Sequence, residues 1–106
     1  MAWHTLPVVF SPPRGRPDMT QKEKSIIMIV DDSQTIQRTA TLFLSQDYDV
    51  KVFSDGYEAL AAVNLVKPDL LFLDVMMPRL NGYDACMMIK QNNEFSRLPV
   101  IMLSSK

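Results

Sequence analysis

The sequence has little of several residue types, and each shortage excludes a class of protein. A single cysteine, Cys86, cannot form an internal disulfide and fits a reducing, intracellular setting. The one histidine, His4, lies in the first few residues, which leaves the rest of the chain without a histidine for catalysis or metal binding. No apolar run reaches the roughly 18 to 20 residues that span a bilayer, and no glycine-rich nucleotide-binding motif is present. The sequence therefore predicts a cytoplasmic protein.

There is also no excess of charge of either sign. Eleven lysines and arginines stand against twelve acidic residues, giving a formal net charge of -1. A balance of this kind argues against a broadly basic surface, so we expect neither direct nucleic-acid binding nor membrane association. Apolar residues make up 47% and charged residues 22% of the 106, which is ordinary for one small globular domain.

The N-terminal segment differs in composition from the rest of the chain. Four of the seven prolines, Pro7, Pro12, Pro13 and Pro17, fall within the first 18 residues. We therefore expect an irregular tail over residues 1–24 and a folded domain over residues 25–106. The alternative for the tail is a partner-docking motif built on its apolar residues, which are Trp3, Leu6, Val8, Val9 and Phe10.

From residue 25 onward, short apolar runs alternate with amphipathic stretches. Strands are predicted over 26–30, 48–53, 70–73 and 100–103, and helices over 33–46 and 82–92. A further helix begins after Asp55, stops before Pro68 and has Leu60, Ala61 and Leu65 as its expected apolar face. This βαβαβαβ pattern with short connections predicts an α/β fold, a parallel sheet with helices on both faces.

Carboxylates follow two of the predicted strands. Asp31 and Asp32 come after the first strand, and Asp74 ends the third. If these strands are neighbours, about 4.8 Å apart, the side chains converge where open α/β sheets bind ligands. Unit charges about 4 Å apart repel by roughly 4 kcal/mol at an effective dielectric of about 20, so the cluster needs a cation or an unusual protonation state. Oxygen-only ligands favour Mg²⁺ or a similar hard ion. The alternative role for Asp32 is helix capping, and the alternative for Asp31 is that of a solvated turn residue.

Four segments together resemble the response-regulator receiver domain, in order and at the expected spacing. They are I-V-D-D-S at 29–33, D-G-Y-E-A-L at 55–60, P-D-L-L-F-L-D-V-M-M-P-R-L-N-G-Y at 68–83 and P-V-I-M-L-S-S at 99–105. More narrowly, M-M-P-R-L-N-G-Y with V-I-M-L-S-S-K is similar to the single-domain receivers of pilus-linked, chemotaxis-like twitching-motility systems. The resemblance implies a flavodoxin-like, doubly wound parallel sheet with strand order 2-1-3-4.

The resemblance also implies roles for particular residues in a two-component phosphorelay. Asp74 matches the phosphoacceptor, which receives a phosphoryl group from a histidine kinase or phosphotransfer protein. Asp31, Asp32 and Asp74, with the backbone carbonyl of Met76, match the ligands of Mg²⁺. Ser104 matches the hydroxyl that hydrogen-bonds the phosphoryl group. Such a protein is a signalling module, not a metabolic enzyme, and catalyses only its own phosphorylation and dephosphorylation.

The sequence departs from the family pattern after Ser104. The family has a further helix, a fifth strand and a final helix there, and we expect the fifth strand and last two helices to be missing from this sequence. The family's active-site lysine belongs to that strand, so Lys106 is not assigned its role, and we expect weak or absent phosphorylation and poor stability. The alternative function is a phosphorylation-independent interaction or assembly module on the receiver scaffold. A Mg²⁺-dependent phosphohydrolase is disfavoured, because Met76 stands where such enzymes usually carry a second aspartate.

Overall fold

The structure is a computed structural model, and it describes residues 23–103. Strands and helices alternate along this part of the chain, as the apolar pattern predicts. The strands are β1 (Ile26–Val30), β2 (Asp49–Phe53), β3 (Leu70–Asp74) and β4 (Val100–Leu103). The helices are α1 (Gln34–Leu44), α2 (Gly56–Val66) and α3 (Gly82–Lys90), and a short 3-10 helix at Asn93–Phe95 precedes β4. The tail expected over 1–24 lies, apart from its last two residues, outside the described residues.

The strands form one parallel sheet in the order β2-β1-β3-β4. β1 therefore lies between β2 and β3, with Val30 paired to Phe53 on one side and to Leu73 on the other. The α/β fold class and the strand order predicted from the sequence are both confirmed.

Side chains of the central strands alternate between the two faces of the sheet, and helices cover both faces. Met28, Val30, Leu71 and Leu73 point to the larger core cluster. The helical residues Ala59 and Val63 of α2 and Ala85 and Ile89 of α3 complete that cluster. Ile27, Ile29 and Leu70 point the other way, toward Ala40 and Leu44 of α1. The continuous apolar runs of β1 and β3 are thus explained by burial on both sides.

The apolar face predicted for α2 is wrong by about one position. Ala59 and Val63 are buried, whereas Leu60 is only partly buried, Ala61 is exposed and Leu65 is 86% exposed. The sequence-based choice favoured the large leucines, but the small side chain of Ala59 allows the helix to lie close against its neighbours. In α1, Phe43 is likewise a large apolar side chain at an exposed position, with 73% exposure.

Each helix begins immediately after a loop at the carboxyl edge of the sheet, and a polar side chain caps it. The Oγ of Ser33 accepts from the N–H of Ile36, and the Oδ1 of Asp55 accepts from the N–H of Glu58. Asn81 caps α3 in the same way. These caps satisfy amide groups that the first helical turn leaves unpaired, so the loops around the strand ends are held in place. Among residues 23–103 no helix combines the length and apolarity needed to cross a bilayer.

Candidate functional site

The strand order brings Asp31, Asp32 and Asp74 together at the carboxyl edge of the sheet. β1 and β3 are paired, and their last partners in register are Val30 and Leu73, so the aspartates follow at the same level. One carboxylate oxygen from each of the three lies within 4.8 Å of the other two. The predicted convergence of these side chains is therefore confirmed.

Asp74 is the most buried of the three carboxylates, at 4% exposure. Its Oδ1 accepts a hydrogen bond from the N–H of Met76 at 3.3 Å. Burial raises the pKa of Asp74 above its ordinary value, and the charge of Asp31 raises it further. The Met76 N–H acts in the opposite direction, and the more exposed Asp32 adds a smaller increase. The ionised form of Asp74 is thus disfavoured unless a cation compensates.

Asp31 is also buried, and the chain around it fixes its position. Its Oδ1 accepts from the N–H of Ser33 at 2.8 Å, and its own N–H donates to the carbonyl of Phe53 at 3.0 Å. The Nε2 of Gln37 donates to the carbonyl of Asp31 at 2.7 Å. Asp32 is exposed, and the α1 cap is Ser33, so the capping role considered for Asp32 is not the one that the structure shows.

The donor set fits a hard divalent cation. All three groups offer carboxylate oxygens, which Mg²⁺ and Ca²⁺ prefer. None of the ion pairs within residues 23–103 involves Asp31, Asp32 or Asp74, so their negative charges are not neutralised by a lysine or arginine there. Two buried carboxylates and a third at the rim form the kind of open site that binds a cation together with water and a substrate oxygen.

The remaining predicted site residues differ in how far the structure describes them. Met76 lies in the loop after Asp74 with an exposed side chain, and its N–H contacts the Asp74 carboxylate. Ser104 lies outside the described residues. The strand before it, β4, pairs with β3 so that Leu103 lies opposite Asp74, and the Leu103 carbonyl accepts from the N–H of Val75 at 2.9 Å.

Gly82 is needed where α3 begins beside the end of β3. A Cβ at this position would lie 2.1 Å from the carbonyl oxygen of Asp74. No side chain can be accommodated at that distance from a backbone atom, and the N–H of Gly82 donates to the carbonyl of Val75 at 2.9 Å. The first residue of α3 therefore packs directly on the Asp74 backbone.

Two polar residues near the site were not singled out from the sequence. Gln37 connects the loop after β1 to the loop after β2, because its Nε2 also lies 3.2 Å from the Oγ of Ser54. Arg79, in the loop after β3, forms an ion pair with Asp55 at the start of α2. Gln37 stands one helical turn after the cap Ser33, and this spacing is a signal that it faces the strand ends.

A parallel sheet of order 2-1-3-4 with an acidic cluster at the ends of its first and third strands defines the receiver class of signalling domains. The family profile of the response regulator receiver domain matches residues 27–106. The chain therefore belongs to the response regulator receiver domain family, whose members act in two-component signalling.

Individual relatives agree with this assignment. The chain is 51% identical over 81 residues to Protein PilG of Pseudomonas aeruginosa, an alignment covering 76% of this chain and 60% of that protein. Its structure is similar to that of the chemotaxis response regulator CheY4 of Vibrio cholerae, with a TM-score of 0.75 and 27% identity over 78% of this chain and 70% of the other. It is also similar to the Mn²⁺-bound form of response regulator Rcp1, with a TM-score of 0.69 and 27% identity over 77% and 66% of the two chains.

Proposed function

We propose that this protein is a phosphoacceptor of a two-component system and that Asp74 receives the phosphoryl group. The donor would be the phosphohistidine of a histidine kinase or of a phosphotransfer protein. One observation carries the proposal: in a chain of the receiver family, a buried aspartate lies within 4.8 Å of two further carboxylates at the carboxyl edge of the sheet. A buried acidic cluster has no evident structural benefit, since its charges repel each other.

The residues that would hold Mg²⁺ are Asp31, Asp32 and Asp74, together with the backbone carbonyl of Met76. The oxygen-only donor set supports this choice, and the Mn²⁺-bound form of the similar protein Rcp1 supports it by analogy. When bound, the cation would offset the negative charge on the phosphoryl oxygens and align the reacting groups.

In the proposed reaction, a carboxylate oxygen of Asp74 attacks the phosphorus atom of the donor. A phosphorus–oxygen bond forms, the phosphorus–nitrogen bond of the phosphohistidine breaks, and the imidazole leaves with the electron pair and takes up a proton. The attack requires ionised Asp74, so the raised pKa of this residue makes the rate depend on pH. The N–H of Met76 orients the carboxylate through Oδ1. Ser104 would then donate a hydrogen bond to the bound phosphoryl group.

The proposed setting is cytoplasmic, in a pilus-linked chemosensory pathway. The 51% identity to PilG supports a close relationship with that protein, and the motif around Asp74 supports the same subgroup. The catalysis would be limited to the protein's own phosphorylation and dephosphorylation. A change of surface after phosphorylation would pass the signal to a protein partner.

Labelling with a small phosphodonor tests the proposal without the cognate kinase. The full chain is incubated with phosphoramidate or acetyl phosphate and Mg²⁺, and the phosphorylated fraction is measured by intact mass. We expect labelling that is weak, depends on Mg²⁺, is sensitive to hydroxylamine, as an acyl phosphate is, and is lost in Asp74→Asn. Asp47→Asn, which removes an exposed carboxylate from the turn after α1, is the matched control. Labelling that persists in Asp74→Asn would contradict the proposal, and no labelling of the wild type would favour the phosphorylation-independent interaction module.

A further inference from the structure

Arg79 connects the loop that follows Asp74 to the start of α2. One of its terminal nitrogens lies 2.5 Å from the Oδ2 of Asp55. Its guanidinium carbon lies 5.1 Å from the centre of the Tyr57 ring. An ion pair and a cation–aromatic contact thus hold the same side chain, and the two partners are the N-cap and a first-turn residue of one helix.

The backbone of this loop is in a conformation that needs such support. Arg79 has a φ of 71°, a left-handed conformation that a residue with a Cβ rarely adopts. Such conformations persist where the surroundings determine them. The next residue, Leu80, is buried against Gly56, where a Cβ would lie only 3.0 Å from the leucine Cδ2. Two consecutive residues therefore attach the loop to α2.

Met76, in the same loop, contacts the carboxylate cluster directly. The N–H of Met76 donates to Asp74, and the N–H of Gly82 donates to the carbonyl of Val75. Only seven residues, 75–81, separate β3 from α3. In so short a loop, a displacement at Arg79 changes the position of Met76 three residues earlier.

We infer that Arg79, held by Asp55 and Tyr57, is a positioning residue that fixes the loop carrying Met76 and so sets the affinity of the carboxylate cluster for its cation. The inference rests on the proposed function of this cluster, since it assigns Met76 to the cation site. Arg79 forms no ion pair with Asp31, Asp32 or Asp74; it acts through the backbone of residues 75–81.

Calorimetric titration of the metal-free full chain with Mg²⁺ tests the inference. Loss of groups that orient metal ligands commonly weakens metal binding by about 10- to 100-fold. In Arg79→Ala we expect Mg²⁺ to bind roughly three- to tenfold more weakly, because only one ligand of several is affected. Lys67→Ala is the matched control: Lys67 also has a positive φ, 51°, forms an exposed ion pair with Glu94 and lies 6.0 Å from the Phe95 ring. This control should bind Mg²⁺ with wild-type affinity.

The partner residue provides a second variant. Asp55→Asn removes the negative charge and keeps a side chain that caps helices as well as aspartate does. We expect weaker Mg²⁺ binding in Asp55→Asn and no further weakening when it is combined with Arg79→Ala, because the two changes break the same contact. Arg79→Lys keeps the charge without the planar guanidinium and should give an intermediate affinity. If Arg79→Ala does not fold, Asp55→Asn carries the same test.

Amide hydrogen exchange gives a readout that needs no cation. The N–H groups of Leu80 and Gly82 should exchange faster in Arg79→Ala than in the wild type, and at the wild-type rate in Lys67→Ala. Equal Mg²⁺ affinities of the wild type and Arg79→Ala would overturn the inference and leave the proposed function intact. A wild-type chain that does not bind Mg²⁺ would overturn both.

Discussion

Replacing Asp74 by asparagine should make the metal-free protein more stable, although it removes the proposed phosphoacceptor. The amide has nearly the shape of the carboxylate and can still accept a hydrogen bond from the N–H of Met76. The substitution removes one of three negative charges that lie within 4.8 Å of one another. The folded state holds these charges together and the unfolded chain separates them, so the repulsion opposes folding.

The magnitude follows from the distance between the two buried carboxylates. At the 4.8 Å limit given by the structure, Asp31 and Asp74 repel by about 3.5 kcal/mol at an effective dielectric of about 20. Asp32 is exposed and screened by water, so it adds little. The amide accepts a weaker hydrogen bond than the carboxylate, which costs about 1 kcal/mol. We therefore expect Asp74→Asn to raise the free energy of unfolding by roughly 1 to 3 kcal/mol.

The sign of the pH dependence follows from the raised pKa of Asp74. In the folded state this carboxyl holds its proton more tightly than in the unfolded chain, mainly because it is buried. The contribution of Asp74 to the stability of the wild type therefore falls as pH rises from the unfolded pKa, about 3.9, through the folded pKa. The advantage of Asp74→Asn should be small near pH 4 and should grow as pH rises through the folded pKa of Asp74.

Urea unfolding in the presence of a chelator, followed by circular dichroism, measures this difference. Asp47→Asn again serves as the control, since it removes the same charge at an exposed position. Adding Mg²⁺ should stabilise the wild type and have much less effect on Asp74→Asn, because a ligand stabilises only a state that binds it. The reasoning would be refuted if Asp74→Asn were no more stable than Asp47→Asn near neutral pH, or if its advantage did not depend on pH.

Three further predictions concern packing and capping. Gly82→Ala should lower the free energy of unfolding by more than about 3 kcal/mol, since its Cβ would overlap a backbone carbonyl; a small change in urea unfolding would contradict the packing described. Leu71→Ala, at a fully buried position, should cost about 2 to 5 kcal/mol, whereas Leu65→Ala should change stability by less than about 0.5 kcal/mol; thermal unfolding compares the two. The N–H of Glu58 and the neighbouring arginine lower the pKa of Asp55. The wild type should therefore be more stable than Asp55→Asn above about pH 4, and this difference should disappear as pH falls through the lower folded pKa. A difference in the free energy of unfolding that stays unchanged in acid would contradict this prediction.

The fold could be predicted from the sequence because burial on both faces leaves a strong pattern. The runs at 26–30 and 70–73 are too short for buried helices and too continuous for strands with one wet face. The helix faces were harder to predict. In α2 the buried positions are occupied by Ala59 and Val63, and the larger Leu65 is exposed, so the size of an apolar side chain was a poor guide to its orientation. Which face of a helix is buried depends on how closely its neighbours approach, and this is a tertiary property.

The acidic cluster could be predicted once the first and third strands were taken as neighbours, but the residues that support it could not. Asp31 and Asp74 meet because their strands pair, and that strand order was implied by the resemblance to the receiver family. The contacts of Arg79 depend on the left-handed backbone at that residue and on the position of Asp55, 24 residues earlier in the chain. Neither periodicity nor composition contains this information, because the pair joins two loops whose relative position is set by the whole sheet.

The site therefore combines a rigid framework with an unfavourable charge distribution, and the two features depend on each other. Repulsion between Asp31 and Asp74 would separate the carboxylates if their backbone were free to move. Pairing of β1 with β3, the close contact of Gly82 with the Asp74 backbone and the attachment of Arg79 to α2 prevent that separation. Since the two carboxylates do not move apart, only a bound cation or protonation can reduce the repulsion between them. A framework that holds like charges together thus makes both the stability and the chemistry of the strand ends responsive to what binds there.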